Sequence, residues 1–218
     1  MKKRLVIASF LLILLSTISS EQSFVISKFN LKKIIIENNL LIKEKDIKNL
    51  LIPFYNKNLI FLNNNKVKKA LMQNSFIESF NIKKKYPSTL KIIIFEKKPI
   101  AILFNNKNKF YLSEKIELIE FKYLPNYKTL PYIVGNKDDF KIFYDNLKKV
   151  NFPLDTIKKY TLYENNRWDL KTKDNKVIKL PSKNYKKSLE NFLKLKSKNN
   201  LKKYELFDYR ISNQLILK

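Results

Sequence analysis

The sequence predicts an α+β protein in two blocks behind an apolar N-terminal segment. Three observations carry this. Short runs of alternating apolar and polar residues, the pattern of strands, are interleaved with stretches whose apolar residues recur every three or four positions, the pattern of helices. Asn, Pro and Asp punctuate them as turn residues. The run Leu5–Ile18, in which only Ser9, Ser16 and Thr17 are polar, comes directly after Lys2, Lys3 and Arg4.

Basic residues ahead of an apolar helix hold that end in the cytoplasm and send the chain beyond the helix across the membrane. As a helix the run is roughly 21 Å long at about 1.5 Å per residue. The hydrocarbon core is about 30 Å thick, so the length matches a signal-peptide apolar region. Ser19 and Ser20 extend it before Glu21 and Gln22 close it, and Thr17, Ser19 and Ser20 form a weak cleavage site. A cleaved leader fits. So does a retained signal anchor over residues 5–20 behind a cytoplasmic stub of residues 1–4. Either way, residues from Glu21 onward face away from the cytoplasm.

The first block runs from Phe24 to Glu96. Phe24–Leu31 reads as a strand and Asn38-Asn39 as a turn. Glu44, Asp46, Ile47, Leu50 and Leu51 have helical spacing, with acids at the favourable end of the helix dipole, and Pro53 ends that helix. Asn63-Asn64-Asn65 caps a second helix, on which Val67, Ala70, Leu71 and Asn74 share a face. Phe76, Phe80 and Ile82 begin a strand that ends at Lys83 to Lys85, and Tyr86-Pro87-Ser88 turns the chain. Leu90, Ile92 and Ile94 alternate with Lys91, Ile93 and Phe95 on a strand buried on one face. The order is β-α-α-β-β: a three-stranded sheet with two helices on one face.

The second block runs from Lys97 to Lys218. Ile100–Phe104, Lys109–Leu112, Ile116–Phe121, Trp168–Thr172, Val177–Leu180 and Tyr204–Leu217 read as strands. Asn105 to Asn108 and Lys173 to Lys176 are turns in which Asn replaces the usual Gly. Phe140, Phe143, Tyr144, Leu147 and Val150 mark a helix opened by Asp138-Asp139. Tyr185, Leu189, Phe192 and Leu193 mark a second helix after Pro181-Ser182. The block reads as an antiparallel sheet with two helices.

Composition narrows the chemistry. The chain has no Cys and no His, which removes disulfides, thiolate and imidazole metal sites, and every Ser-His-Asp or Cys-His triad. Its single glycine leaves no phosphate-cradling Gly-rich loop. No catalytic, metal or cofactor site is expected. The net charge of +26 invites a nucleic-acid reading, but all of the 45 basic residues except Arg4, Arg167 and Arg210 are Lys, spread along the chain. Nucleic-acid readers favour Arg forks, and an exported chain lies in the wrong compartment. A solvated basic surface from an AT-rich coding bias is the plain reading; weak contact with anionic lipid is the functional one.

Several motifs together resemble a known family. They are Phe76-Ile77-Glu78-Ser79-Phe80, the basic strand end Lys83 to Lys85, Tyr86-Pro87-Ser88-Thr89-Leu90, and Glu96-Lys97-Lys98-Pro99-Ile100-Ala101. In the second block, Leu130-Pro131-Tyr132-Ile133-Val134-Gly135, Arg167-Trp168 and Phe207-Asp208-Tyr209-Arg210 come in the same order. The set resembles the bacterial cell-division family FtsQ/DivIB. The resemblance implies a POTRA domain over residues 24–96 and a β domain over 97–218. Two departures stand at turns: Ser113-Glu114-Lys115-Ile116 replaces the family's Asp-x-x-Gly, and Asn175 stands where Gly is common.

The resemblance further implies a non-enzymatic scaffold of the division machinery. It would sit as a single-pass protein of the inner membrane with its bulk in the periplasm, beside FtsB/FtsL-like single-pass partners and other divisome components. It also favours retention of residues 5–20 as the anchor. Binding would occur by strand addition to an outer strand formed by Tyr209, Arg210, Ile211, Ser212, Asn213, Gln214 and Leu215. Other features have structural readings: Tyr86-Pro87 and Glu96 as turn and strand end, Trp168 as core anchor, Asp138-Asp139 as helix-start charge. Arg210 reads either as the partner of Asp208 or as an interface anchor. Two rivals remain, an exported POTRA-type chaperone module and a carboxylate-based cell-wall hydrolase.

Overall fold

The computed structural model describes residues 2–16, 27–105, 108–196, 203–211 and 214–218. Helix α1 spans Lys2–Ser16. Its 15 residues rise about 22 Å. Among the described residues no helix is long and apolar enough to cross a membrane. The chain divides into two compact units, Met1–Glu96 and Lys97–Lys218.

The first unit has the expected β-α-α-β-β order: β1 (Lys33–Glu37), α2 (Glu44–Leu51), α3 (Asn64–Leu71), β2 (Ile77–Lys85) and β3 (Thr89–Glu96). The sheet order is β1-β3-β2, with β1 parallel and β2 antiparallel to β3. Ile34, Ile36, Leu90, Ile92 and Ile94 are buried, as are Ile47 and Leu51 of α2 and Val67 and Leu71 of α3. Asn63 caps α3 by accepting the Asn65 N–H at 2.8 Å. The Glu96 carboxylate accepts the N–H groups of Leu41 and Ile42 at 2.8 Å, so this strand-end acid fastens the loop between β1 and α2.

The expected first strand, Phe24–Leu31, is displaced. Residues 24–26 lie outside the described residues, and the strand is Lys33–Glu37. The run Ile34-Ile35-Ile36 carries the β-branched side chains that a strand favours. Leu31 instead exchanges backbone bonds with the 56–57 loop, from Leu31 N–H to the Lys57 carbonyl and from Asn56 N–H to the Leu31 carbonyl, both at 2.9 Å.

The second unit contains β4 (Pro99–Asn105), β5 (Asn108–Ser113), β6 (Leu118–Glu120), β7 (Tyr132–Val134), α4 (Lys137–Lys149), β8 (Ile157–Leu162), β9 (Trp168–Thr172), β10 (Val177–Lys179), α5 (Tyr185–Lys196), β11 (Leu206–Asp208) and β12 (Ile216–Leu217). They form one sheet in the order β12-β11-β10-β9-β8-β7-β4-β5-β6. The expected all-antiparallel sheet is corrected to a mixed one: β4–β7, β7–β8 and β10–β11 are parallel. Helices α4 and α5 cross over between the β7–β8 and β10–β11 pairs, and a helical crossover returns the chain in the same direction.

Alternation sets the two faces of this sheet. The row Leu103, Ile133, Tyr160, Leu170, Ile178, Phe207 is buried in the core with Phe140, Phe143 and Leu147 of α4 and Leu189 and Phe192 of α5. Trp168 anchors that core, stacked on Phe143 at 4.7 Å. Asn136 caps α4 by accepting the Asp139 N–H at 2.8 Å, and Asp138 and Asp139 occupy its first turn.

The turns explain a chain nearly without glycine. Asn38, Asn56, Asn151, Asn166, Asn175 and Asn184 all have positive φ, between 52° and 64°. Asn tolerates this region better than other side chains. Where the family motif has Gly, Ile116 itself holds φ 59°, so the strand expected from Ile116 begins at Leu118. Gly135 holds φ +151°.

Candidate partner-binding edge

The expected outer strand Tyr209–Leu215 is not a strand. Tyr209, Arg210, Ile211, Gln214 and Leu215 belong to the connection between β11 and β12; Ser212 and Asn213 lie outside the described residues. Three bonds explain the break. Tyr209 donates its N–H to the Lys179 carbonyl at 2.9 Å, while its buried ring sends the hydroxyl to Asn191 Oδ1 at 3.0 Å. The Arg210 N–H bends back to Asp208 Oδ1 at 3.1 Å. Gln214 donates its N–H to the Ile211 carbonyl at 3.2 Å.

The outer strand on this side is β12. Leu206 and Lys218 exchange both backbone bonds, at 2.9 and 3.2 Å. Phe207 pairs with Leu217 and Asp208 with Ile216. Paired residues on antiparallel strands alternate between bonded and non-bonded. The N–H and C=O of Leu217 therefore point away from β11, out of the sheet. The Leu217 side chain packs partly on the core, and Ile216 is exposed on the other face.

Beside this hairpin lies a groove of about 730 Å³. Its walls are the lead-in to α5 (Pro181 to Asn184), the α5 residues Lys187, Ser188 and Asn191, and Tyr209, Arg210, Ile211, Gln214 and Leu215. Every expected edge residue that is described thus lines one groove, although not as a strand. Lys183, Lys187 and Arg210 are its charged lining residues, and none is acidic. Burial pushes the Tyr209 phenol up to about 12, so it stays neutral.

Arg210 has the expected contact with Asp208. Its Nε reaches both oxygens of Asp208 at 2.9 Å and its Nη2 reaches Oδ2 at 2.6 Å, while the Arg210 side chain stays 45% exposed. The guanidinium holds the Asp208 carboxyl below its ordinary range, against the opposing effect of burial. A second pair escaped the sequence reading. Arg167 Nε lies 3.3 Å from Asp169 Oδ1, and the Arg167 guanidinium stacks on Tyr163. Lys179 pairs with Asp169 on one side and Asp208 on the other, so an Asp-Lys-Asp row crosses β9, β10 and β11. Burial raises the Asp169 carboxyl despite these cations. The available signal was spacing: Arg167-x-Asp169 mirrors Asp208-x-Arg210, each a strand aspartate with an arginine two residues away, just outside the strand.

Among the described residues no group of three or more acidic side chains is placed to hold a metal ion. Asp138 and Asp139 sit at the start of α4, and neither lines this groove.

Comparison with known proteins matches the FtsQ-type POTRA domain at residues 29–97 and the C-terminal domain of the cell division protein FtsQ/DivIB at residues 101–210. Cell division protein FtsQ of Rickettsia bellii is 27% identical over 190 residues, covering 85% of this chain and 71% of that one. Cell division protein DivIB of Clostridium acetobutylicum is 31% identical over 94 residues, covering 43% and 38%. The solved extracytoplasmic domain of DivIB from Geobacillus stearothermophilus is similar at 17% identity and a TM-score of 0.32, over 45% of this chain and 89% of that one. The C-terminal match ends at Arg210. The chain belongs to the FtsQ/DivIB family of bacterial cell division proteins.

Proposed function

We propose that this protein is a non-enzymatic scaffold of the division machinery, held in the inner membrane by residues 5–20. It binds single-pass FtsB/FtsL-like proteins in the periplasm and so links early division proteins to septal peptidoglycan synthesis. The observation that carries this is the outer strand β12, whose Leu217 N–H and C=O point out of the sheet beside a basic groove. An extended partner segment adds to that edge by main-chain bonds. A carboxylate on the same segment meets Arg210, Lys183 and Lys187. The binding edge is thus Ile216-Leu217, flanked by the groove residues Tyr209, Arg210, Ile211, Gln214 and Leu215.

The test is co-purification of the full chain from membranes. Small single-pass coiled-coil proteins are the expected companions; outer-membrane precursors in their place would overturn the scaffold reading in favour of a chaperone. Leu217→Pro removes the outward donor and should release the partners while the sheet stays folded. Ile216→Pro removes a donor that faces β11 and should loosen the hairpin itself. Undiminished partner recovery with Leu217→Pro would refute edge pairing.

A further inference from the structure

The first unit carries its acids at one end of its sheet, among Lys43, Lys45 and Lys48. Its described acids are Glu37, Glu44, Asp46, Glu78 and Glu96. Glu37 and Glu96 end β1 and β3, Glu78 begins β2, and the Glu96 carboxylate binds the backbone leading into α2, whose first turn holds Glu44 and Asp46. All five therefore gather at one end. The opposite end, where Lys85 pairs with Thr89, lies roughly 23 Å away at about 3.3 Å per residue. Residues 27–33, 54–65 and 82–90, which build that end, contain no acid. Lys28, Lys32, Lys57, Lys83 and Lys85 are exposed there.

The same end carries exposed apolar side chains. Phe61 is 80% exposed, Tyr86 56% and Ile60 45%. They are held together: Lys84 Nζ donates to the Ile60 and Leu62 carbonyls at 3.1 and 2.9 Å, and the Phe29 and Tyr86 rings meet at 6.1 Å. The chain also enters the domain here, because Leu59 N–H binds the Phe29 carbonyl at 2.8 Å. The stretch from Ser16 to Ser27 reaches at most about 40 Å, so the apolar N-terminal segment is tethered to this tip.

The geometry points to this tip as a docking surface for an anionic lipid bilayer, with Phe61, Ile60 and Tyr86 entering the headgroup region and the lysines meeting lipid phosphates. Aromatic rings favour the membrane interface, and lysines close to it are attracted by anionic lipid. The acids at the far end lie beyond the roughly 8 Å screening length at physiological salt and do not cancel that attraction. The inference rests on the membrane attachment of residues 5–20 proposed above. It adds that the first domain stands tip-down on the surface.

The absence of native Cys makes the test clean, because one introduced thiol is the sole labelling site. The full chain is reconstituted in phosphatidylglycerol–phosphatidylethanolamine vesicles with a spin label at Phe61→Cys, Leu40→Cys or Phe10→Cys. Leu40 is the control, 86% exposed at the acidic end. The expected result is label 10 in the acyl region, label 61 shielded from aqueous relaxant at headgroup depth, and label 40 in water. Label 61 should return to water when the vesicles are zwitterionic or the salt is raised. Label 61 in water while label 10 is buried overturns the docking surface and leaves the anchor standing; label 10 in water overturns both. Phe61→Ser with Ile60→Ser, read from a label at Tyr86→Cys, should lower the shielded fraction about tenfold. An unchanged fraction also counts against the proposal.

Discussion

Gly135 is the position where Asn cannot substitute as it does elsewhere. The six Asn residues with positive φ lie between 52° and 64°, inside the left-handed well that Asn tolerates. Gly135 has φ +151°, far outside it. A Cβ built there would lie 2.8 Å from Leu162 Cβ, 3.4 Å from Leu162 Cδ2 and 3.6 Å from Trp168 Cη2. The first contact is below any normal carbon–carbon approach and involves an atom fixed to the β8 backbone. Backbone strain of about 1–3 kcal/mol adds to overpacking of about 1–3 kcal/mol. Gly135→Ala is therefore expected to destabilise the second unit by about 2–6 kcal/mol, and Gly135→Asn by at least as much. Equilibrium urea unfolding followed by Trp168 fluorescence measures it, with Asn175→Gly as a control expected within about 0.5 kcal/mol of wild type. A Gly135→Ala loss below about 0.5 kcal/mol would refute the argument from φ and close approach.

Other expectations rest on single contacts. Glu96→Ala leaves the Leu41 and Ile42 N–H groups without their acceptor and should cost about 2 kcal/mol of first-unit stability, with Glu96→Gln intermediate, by urea titration. Asp208 and Asp169 should give opposite pH signatures. The folded pKa of Asp208 is depressed, so its contribution is present above the unfolded carboxylate value of about 3.9 and is lost as pH falls through the lower folded value. Asp208→Asn should therefore flatten the acid limb of the stability curve. The folded pKa of Asp169 is raised, so its ionised form opposes folding at neutral pH, and Asp169→Asn should raise the urea midpoint at pH 7. Tyr209→Phe removes the bond to Asn191 and should cost about 1 kcal/mol. It should also abolish the part of the stability loss above pH 10 that arises because the unfolded phenol ionises before the folded one, raised to about 12.

The long periodic elements were legible because one local pattern decides each of them. The Phe140-Phe143-Leu147 stripe fixes α4, and the Leu90-Ile92-Ile94 alternation fixes β3. Strands β7 and β8 were not. Tyr132–Val134 buries one residue, Ile133, and β8 carries Lys158 and Lys159 at a bulge that breaks its alternation. Missing them also hid the parallel pairings, since those arise from the crossovers through α4 and α5. At the candidate site, the side of the sheet and the Asp208–Arg210 contact could be read, because an arginine two residues from a carboxylate stays within reach of it. The return turn could not. It depends on Tyr209 finding Asn191 of α5, and only tertiary packing brings that residue near.

The central claim is that a partner strand pairs with β12, and amide exchange at one residue tests it most directly. The Leu217 N–H points out of the sheet, while the Lys218 N–H is bonded to the Leu206 carbonyl at 3.2 Å. In the free protein the Leu217 amide should exchange faster than that of Lys218. With a saturating single-pass partner it should become protected by at least roughly tenfold, with Lys218 changing less. Saturated binding with the Leu217 amide still exchanging at its free rate would contradict strand addition at this edge.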